Sequence, residues 1–341
     1  RSPVLPFSRS PVLPFKRDDE NLGGTSESGK QKRGMEESMV SENGDPQDVP
    51  PGVHSMTTVL DVTNDAEVTP QQPIASDRLA VIVPVYNEER TVAELLRRLE
   101  GQPCVSQIII VDDGSTDQTW EELEAWRSRD SSAIALGSDV DSLSVTVVRH
   151  DRNRGKGRAI RTGLDNVTCS HVIIQDADLE YDPSDINKLW AVMQSGDADV
   201  IFGSRYLDNP RLQNGRWIMQ SGVRLLNLVV RLLYGLRLTD EATCYKLFST
   251  QDLRRMQLRC ERFEFCPEAT AKAAILGCRF TEVQISYTAR GCAQGKKLRF
   301  SDGVSAMRVL VQMYSWTAER VPGGSCTTVG LPPSQRRSKV R

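Results

Sequence analysis

Asp176-Ala177-Asp178, with Glu180 two residues on, follows a short apolar run from Val172 to Ile174 with only Gln175 between. Such a run reads as the interior of a buried strand, which must stop where its charges can reach water. Carboxylates this close together repel one another, so a cation is their natural partner. Hard oxygen ligands suit magnesium or manganese, which can bridge in turn to a diphosphate. An isolated Asp-x-Asp is usually a solvated acidic turn. Here other polar groups stand at the ends of neighbouring apolar runs: Pro84, Tyr86 and Glu88 after 79–84, Asp112 and Asp113 after 107–111, Gly155 and Lys156 after 145–148, and Arg205 after 199–202.

These groups need a scaffold that brings strand ends together. Residues 79–84, 107–111, 145–148, 172–174 and 199–202 have the apolar, β-branched character of strands buried on both faces. Between them lie helical patterns. Val92, Leu95, Leu96 and Leu99 form one stripe, 116–126 a second helix, the stretch after 158 through Leu164 a third, and 183–193 a fourth with Pro183 in its first turn. The stretch 128–143 reads as a polar loop. Strands alternating with helices predict a doubly wound α/β layer with a mostly parallel sheet and helices on both faces. Ligands of such sheets gather at the carboxyl ends of the strands. Carboxylates, glycines and cations on that edge are what a nucleotide diphosphate with a metal requires.

The second half is less regular. Residues 223–236 are strongly apolar, with Arg224, Asn227 and Arg231 on one helical stripe. That suits either a helix lying at a membrane surface or a core helix with an exposed arginine edge. A helix over 263–275, a strand over 280–286, a cationic loop over 290–299 and a closing helix over 302–316 follow. Residues 1–76 repeat Arg-Ser-Pro-Val-Leu-Pro-Phe at 1–7 and 9–15 and are otherwise rich in Gly, Ser, Pro and acids, which predicts a disordered tail. Residues 319–341 read as a flexible basic tail, leaving 77–318 as the folded domain, with 77–206 binding the donor and 207–318 the acceptor.

Composition narrows the class. A chain of 341 residues with 39% hydrophobic and 26% charged residues is ordinary for a globular protein, and a net charge of −2 gives no reason to expect nucleic acid. The eight cysteines include no C-x-x-C pair, and the three histidines are far from zinc-ligand spacing. They read as reduced thiols of a cytosolic protein. No apolar stretch reaches the roughly 18 residues of a spanning helix. A lipid partner would therefore be met from the aqueous side, at the cytosolic membrane face.

Val-Pro-Val-Tyr-Asn-Glu at 83–88, Val-Asp-Asp-Gly-Ser-Thr-Asp at 111–117, Asn-x-Gly-x-Gly-x-Ala at 153–159 and Asp-Ala-Asp-Leu at 176–179 occur in the order found in family-2 glycosyltransferases of the GT-A fold. The chain resembles that family over roughly 78–315. Gly-Ser-Arg-Tyr at 203–206, the stretch 239–248, Phe-Glu-Phe-Cys-Pro-Glu at 263–268 and Ile-Ser-Tyr-Thr-Ala-Arg at 285–290 are most similar to the dolichyl-phosphate mannosyltransferase and polyprenyl-phosphate glycosyltransferase branch. Two departures stand out. Thr243-Cys244-Tyr245-Lys246 replaces the usual Ser-Gly-Phe-Arg, and Glu180 stands where Gln is common.

The resemblance implies that Pro84, Tyr86, Glu88 and Asp113 hold the base and ribose of a nucleotide-diphosphate sugar, with Asp112, Gly155, Lys156 and Ala177 in the same pocket. It implies that Asp176 contacts the ribose or sugar side, and that Asp178 and Glu180 hold Mg2+ or Mn2+. Arg205, Lys246, Arg290, Lys296 and Lys297 become candidates for the donor diphosphate or the acceptor phosphate, with Asp176, Asp178, Arg205 and Lys246 as the catalytic set. The implied reaction moves a hexose, from GDP-mannose or a UDP-sugar, to a polyprenyl phosphate with inversion. A lipid phosphate is already a nucleophile near neutral pH, so no strong base is required. The alternative acceptor is a saccharide hydroxyl, which needs a carboxylate base, Asp240 or Glu241. Gln213-Asn-Gly-Arg216-Trp217 has the Gln-x-x-Arg-Trp spacing of polysaccharide synthases but comes too soon after Gly203 for that role.

Overall fold

The computed structural model describes residues 58–62, 75–133, 143–208, 217–290 and 300–316. Most of the expected N-terminal tail, the 319–341 tail, and Lys296 and Lys297 lie outside them. Four strand–helix units open the fold. They are β2 (Ala75–Val85) with α1 (Val92–Glu100), β3 (Val105–Asp112) with α2 (Thr119–Ala133), β4 (Ser144–His150) with α3 (Lys156–Asp165), and β5 (Cys169–Ile174) with α4 (Ile186–Gln194), the last entered through a 3-10 turn at Pro183–Asp185. A fifth strand, β6 (Val200–Ser204), precedes α5 (Trp217–Tyr234). Then come β7 (Lys246–Ser249), α6 (Thr250–Arg255), α7 (Phe265–Ile275), β8 (Phe280–Gln284) and α8 (Phe300–Met313).

The central strands β2, β3 and β5 are largely buried on both faces, and their alternate side chains feed separate cores. Leu79, Val81, Val83, Ile108, Ile110 and Ile173 pack with α1, α2 and α4 on one side. Ala80, Ile82, Ile109, Val111, Val172 and Ile174 pack with α3, α6 and α7 on the other. This two-sided burial is why the runs are nearly continuous rather than alternating.

Among the described residues the sheet has eight strands; with β1 spanning Thr58–Val62, their order is β1-β4-β3-β2-β5-β7-β6-β8. Strand β1 (Thr58–Val62) pairs in parallel with β4, Leu60 opposite Val148. It lies inside the segment expected to be a disordered tail over 1–76, so that boundary is corrected: the sheet recruits a strand across 63–74, a pairing that no local pattern announces. Helix α2 continues to Ala133, where 128–143 was expected to be a loop. No Gly or Pro interrupts 119–133, and buried Leu123 and Trp126 anchor it. Strand β7 was not anticipated as a strand. It runs antiparallel between β5 and β6, with Phe248 opposite both Val172 and Val200.

All strands but β7 point one way, so the ends of β2, β3, β4, β5 and β6 share one edge. Strands β3 and β4 lie to one side of β2 and β5 to the other. The order reverses there, and the crevice between the loops after β2 and β5 is where such a sheet binds its ligand.

Candidate active site

The Asp176–Glu180 loop leaves β5 at that crevice. Gln175 N–H donates to the Ile82 carbonyl at 2.9 Å, the last tie to β2 before the chain turns away. Leu179 then adopts a left-handed backbone, φ +57°, a conformation that costs a side-chain-bearing residue about 1 kcal/mol. That turn lets Glu180 N–H donate to Asp178 Oδ1 at 3.1 Å, so the two acids face the same space. Burial, together with the charges of Asp176 and Glu180, pushes the Asp178 carboxyl up to about 7. The loop carries more negative charge than its own donors balance.

Arg290 ties this loop to the one after β2. Its Nε donates to the Asp178 carbonyl at 2.7 Å, its backbone N–H to Glu180 Oε1 at 2.9 Å, and its Nη2 to Glu88 Oε2 at 2.8 Å. Tyr287, three residues earlier, donates its hydroxyl to Glu180 Oε2 at 2.7 Å. Glu88 is 9% exposed, and its backbone N–H donates to Thr119 Oγ1 at 2.8 Å. Asn87 N–H donates to Ser115 Oγ at 3.0 Å, joining the loops after β2 and β3. Pro84 and Tyr86 are half-buried at the end of β2.

Asp113 organises the opposite wall. It is buried, and its two oxygens accept from His150 Nδ1 at 2.7 Å, Arg154 N–H at 2.9 Å and Gly155 N–H at 2.7 Å. With Nδ1 donating, His150 Nε2 is free to accept from the Thr162 hydroxyl at 2.9 Å. A carboxylate has about four lone-pair directions, so Asp113 mainly shapes the glycine loop and has little acceptor capacity left for a ribose. Asp112 is fully buried. It accepts from Ser115 N–H at 3.0 Å and faces Arg149 Nε at 3.4 Å, while burial pushes its carboxyl up. Arg149 in turn lies over the Trp120 ring, 4.4 Å from its centroid.

The glycines are there because another segment presses on them. A Cβ on Gly155 would stand 2.4 Å from the Glu261 carbonyl oxygen, and one on Gly157 2.4 Å from that of Cys260. Gly155 also has φ +96°. This packing aims Lys156, the first residue of α3, across the crevice, where its Nζ hydrogen-bonds Asp176 and lies 3.0 Å from Cys244 Sγ. Burial opposes its charge, yet Asp176 and the Cys244 and Cys266 sulfurs hold the ammonium well above the ordinary lysine range. Ala177 is buried under the acidic loop.

Two expected cations are placed differently. Lys246 is fully buried. Its Nζ donates to the Glu241 carbonyl at 2.6 Å and sits 3.5 Å from the centre of the Phe202 ring, so it is a core cation and leaves the catalytic and acceptor-phosphate sets. The unforeseen strand β7 is the cause, because it carries Lys246 between β5 and β6. Arg205 donates through Nε and Nη2 to Asp240 at 2.7 and 2.8 Å, among the rings of Tyr181, Tyr206 and Tyr287. Its charge is already matched, which removes the free phosphate cation expected there. Asp240 and Glu241 are themselves fully buried. Tyr287, His150 and Cys244 went unassigned as site residues. Tyr287 lies in the 285–290 motif and Cys244 in the 239–248 stretch, and His150 ends a strand at the carboxyl edge, which is the signal the sequence carries for them.

Among the described residues no three acid, thiol or imidazole side chains converge on one metal position. Asp178 and Glu180 alone suit a hard cation that draws its remaining ligands from substrate phosphates and water. Burial and, after it, the charges of Asp176 and Glu180 disfavour the Asp178 carboxylate, and a bound cation would stabilise it. The donor set therefore fits Mg2+ or Mn2+.

The sequence profile described as Glycosyl transferase family 2 matches residues 80–256. The chain is 28% identical over 229 residues, 65% of its length and 91% of the relative's, to a UDP-N-acetylglucosamine–dolichyl-phosphate N-acetylglucosaminyltransferase of Methanococcus voltae. It is 30% identical over 248 residues to an undecaprenyl-phosphate 4-deoxy-4-formamido-L-arabinose transferase of Pseudomonas aeruginosa, covering 71% of this chain and 65% of that one. A dolichol-phosphate mannosyltransferase of Pyrococcus furiosus shares 30% identity over 139 residues, 40% of this chain and 36% of that one. Among solved structures, glucosyl-3-phosphoglycerate synthase of Mycobacterium tuberculosis, in complex with Mn2+, UDP and phosphoglyceric acid, superposes with a TM-score of 0.52 at 15% identity, over 70% of this chain and 77% of that chain, which establishes a shared fold.

Proposed function

This chain belongs to glycosyl transferase family 2, and on that footing we propose that it moves a hexose, with inversion, from a nucleotide-diphosphate sugar to a polyprenyl phosphate at the cytosolic face of a membrane. The observation that carries this reading is the Arg290 strap, which brings Glu88, Asp178 and Glu180 to one rim. In this reading Pro84, Tyr86 and Glu88 line the base and ribose side, and Asp112 and Asp113 hold the loops that flank it. Lys156 orients Asp176 toward the sugar. Asp178 and Glu180 would hold the divalent ion, which when bound supplies positive charge to the leaving diphosphate. Gly155 and Gly157 let the 153–158 segment pack against the Cys260 and Glu261 carbonyls, which is what aims Lys156 at that site.

The named substrates of the relatives support a lipid-phosphate acceptor. So does the burial of Asp240 and Glu241, the two candidate bases for a hydroxyl acceptor. A phosphate monoanion or dianion can attack the anomeric carbon without prior deprotonation. The test is transfer from GDP-mannose, UDP-glucose and UDP-N-acetylglucosamine, each with dolichyl or undecaprenyl phosphate. One donor should yield a lipid-soluble glycosyl phosphate. Transfer to oligosaccharides with none to lipid would establish the hydroxyl reading instead.

The acceptor half also offers a lipid-facing surface. No described helix is long and apolar enough to cross a membrane. In α5, Leu226 and Val230 pack on Ala271, Ala306 and Leu310, while Asn227 turns inward to bond the Thr239 carbonyl and the Glu241 N–H. Leu225, Leu228 and Leu232 remain exposed, Leu232 to 73%, and Val304 and Val311 of α8 join them. Arg224 and Arg231 flank these leucines and are exposed. A helix packed wholly into a core would not leave such a stripe in water. The protein should co-sediment with vesicles containing anionic lipid at low salt, and Leu228→Asp/Leu232→Asp should weaken that binding roughly tenfold or more. Equal sedimentation of both proteins would return α5 to the core reading.

A further inference from the structure

Three donors hold Glu180, and all come from 287–290. Its carbonyl accepts Thr288 N–H at 2.9 Å, and its Oε1 accepts Arg290 N–H at 2.9 Å, both donors being backbone. Its Oε2 accepts the Tyr287 hydroxyl at 2.7 Å, the one side-chain donor on this carboxylate among the described residues. Tyr181 and Tyr287 form an antiparallel bridge, so the two segments lie side by side. A carboxylate has about four lone-pair directions. With one donor on each oxygen, both oxygens keep a direction for a cation. The phenol is itself fixed. It is half-buried, its ring centre 5.6 Å from that of Tyr181 and 5.1 Å from the Arg205 guanidinium, which two bonds tie to Asp240.

We propose that Tyr287 is a positioning residue: its hydroxyl sets the rotation of the Glu180 carboxylate and thereby the affinity for a divalent cation held between Glu180 and Asp178. The proposal rests on the reading of those two acids as metal ligands. The terminal torsion of a glutamate is broad. A carboxylate anchored at one oxygen can still turn about that torsion, and anchored at both it has one orientation. The Arg290 N–H supplies the first anchor and the phenol the second. Asp178 Oδ1 in turn accepts the Glu180 N–H at 3.1 Å, so the clamp on residue 180 steadies both acids. Hydrogen-bond partners behind a metal ligand are worth about 10–100-fold in metal affinity.

The departure at residue 180 fits this role. Glu180 stands where the related mannosyltransferase pattern commonly has Gln. A backbone N–H cannot turn round, so an amide at 180 would have to place its oxygen on Arg290 N–H and its NH2 group on Tyr287. The hydroxyl would then become an acceptor, and the group it touched would be a nitrogen that binds no metal. A carboxylate presents oxygen to both donors, and both oxygens remain able to meet the ion. The acid at 180 and the phenol at 287 therefore work as a pair.

The test is Mn2+ binding to the full chain, read from loss of the free-ion electron paramagnetic resonance signal, with the metal alone and with UDP or GDP added. Tyr287→Phe removes the hydroxyl and leaves the ring against Tyr181 and Arg205. It should weaken Mn2+ binding about tenfold or more, with the melting temperature lowered by a few degrees at most. In a Glu180→Gln background the same change should alter binding less than about threefold, because the ligating oxygen there rests on Arg290 N–H alone. In transfer assays the Mn2+ concentration for half-maximal rate should rise with the dissociation constant, while the rate at saturating metal changes little. Tyr287→Phe binding Mn2+ within about twofold of the parent overturns the proposal. So does an equal loss in both backgrounds, which would assign Tyr287 to the packing of Arg205. If the parent chain binds no Mn2+ in any of these conditions, the metal reading of Asp178 and Glu180 fails and this proposal fails with it. Parent binding that Tyr287→Phe leaves intact removes the role of Tyr287 alone.

Discussion

Replacing Asp178 with alanine is expected to reduce hexose transfer by roughly 10³-fold, the scale of losing one preorganised group that stabilises transition-state charge. The fold should be nearly untouched. Asp178 Oδ1 accepts only the Glu180 N–H from the loop, at 3.1 Å, a bond whose net contribution is about 1 kcal/mol. Removing a carboxyl crowded by Asp176 and Glu180 also relieves repulsion, which offsets part of that loss. Arg290 continues to hold the Asp178 carbonyl, Glu180 and Glu88, and these contacts do not involve the deleted group. Transfer measured beside denaturant unfolding separates the two effects. Turnover within a few-fold of the parent protein would remove Asp178 from the reaction.

The largest stability effect should come from a residue that touches no substrate. Lys272 Nζ meets Glu268 Oε1 at 2.6 Å, and both side chains are 1% exposed. Glu268 also accepts Arg259 N–H at 2.8 Å and Cys260 N–H at 2.8 Å, while Lys272 donates to the Gln257 carbonyl at 2.9 Å. Lys272→Met leaves that carboxylate buried without its cation, which costs about 3–5 kcal/mol. In a domain of this size the melting temperature should fall by roughly 10 °C. Adding Glu268→Gln should recover part of the loss, because the amide oxygen still accepts one of the backbone N–H groups. The loop that Glu268 holds is the one that presses on Gly155 and Gly157. Below its new melting point the single variant should therefore bind donor more weakly as well. A change under about 1 kcal/mol would show that the pair stabilises nothing.

The legible part of this protein was local. Apolar runs of three to six residues shortly before Asp176, Asp112 or Tyr86 mark strands buried on both faces, because a covered parallel sheet accommodates such runs. Short βα connections then force the ends of those strands to one edge, so Glu88, Asp113, Lys156 and Asp178 could be grouped from the linear order alone. Strand β7 was not legible. It is four residues long, begins with a lysine and runs against its neighbours. Its one charged side chain is held by the Phe202 ring and by the Glu241 carbonyl, contacts that only packing brings about.

The scaffold and its polar edge are thus encoded locally, since hydrophobic periodicity and chain connectivity act over neighbouring residues. Which charges remain available at that edge depends on packing. Arg205 is matched by Asp240 across 35 residues, and Arg290 reaches Glu88 across 202. A buried charge must find a partner, and the partner's address depends on how distant segments pack, which no local pattern encodes.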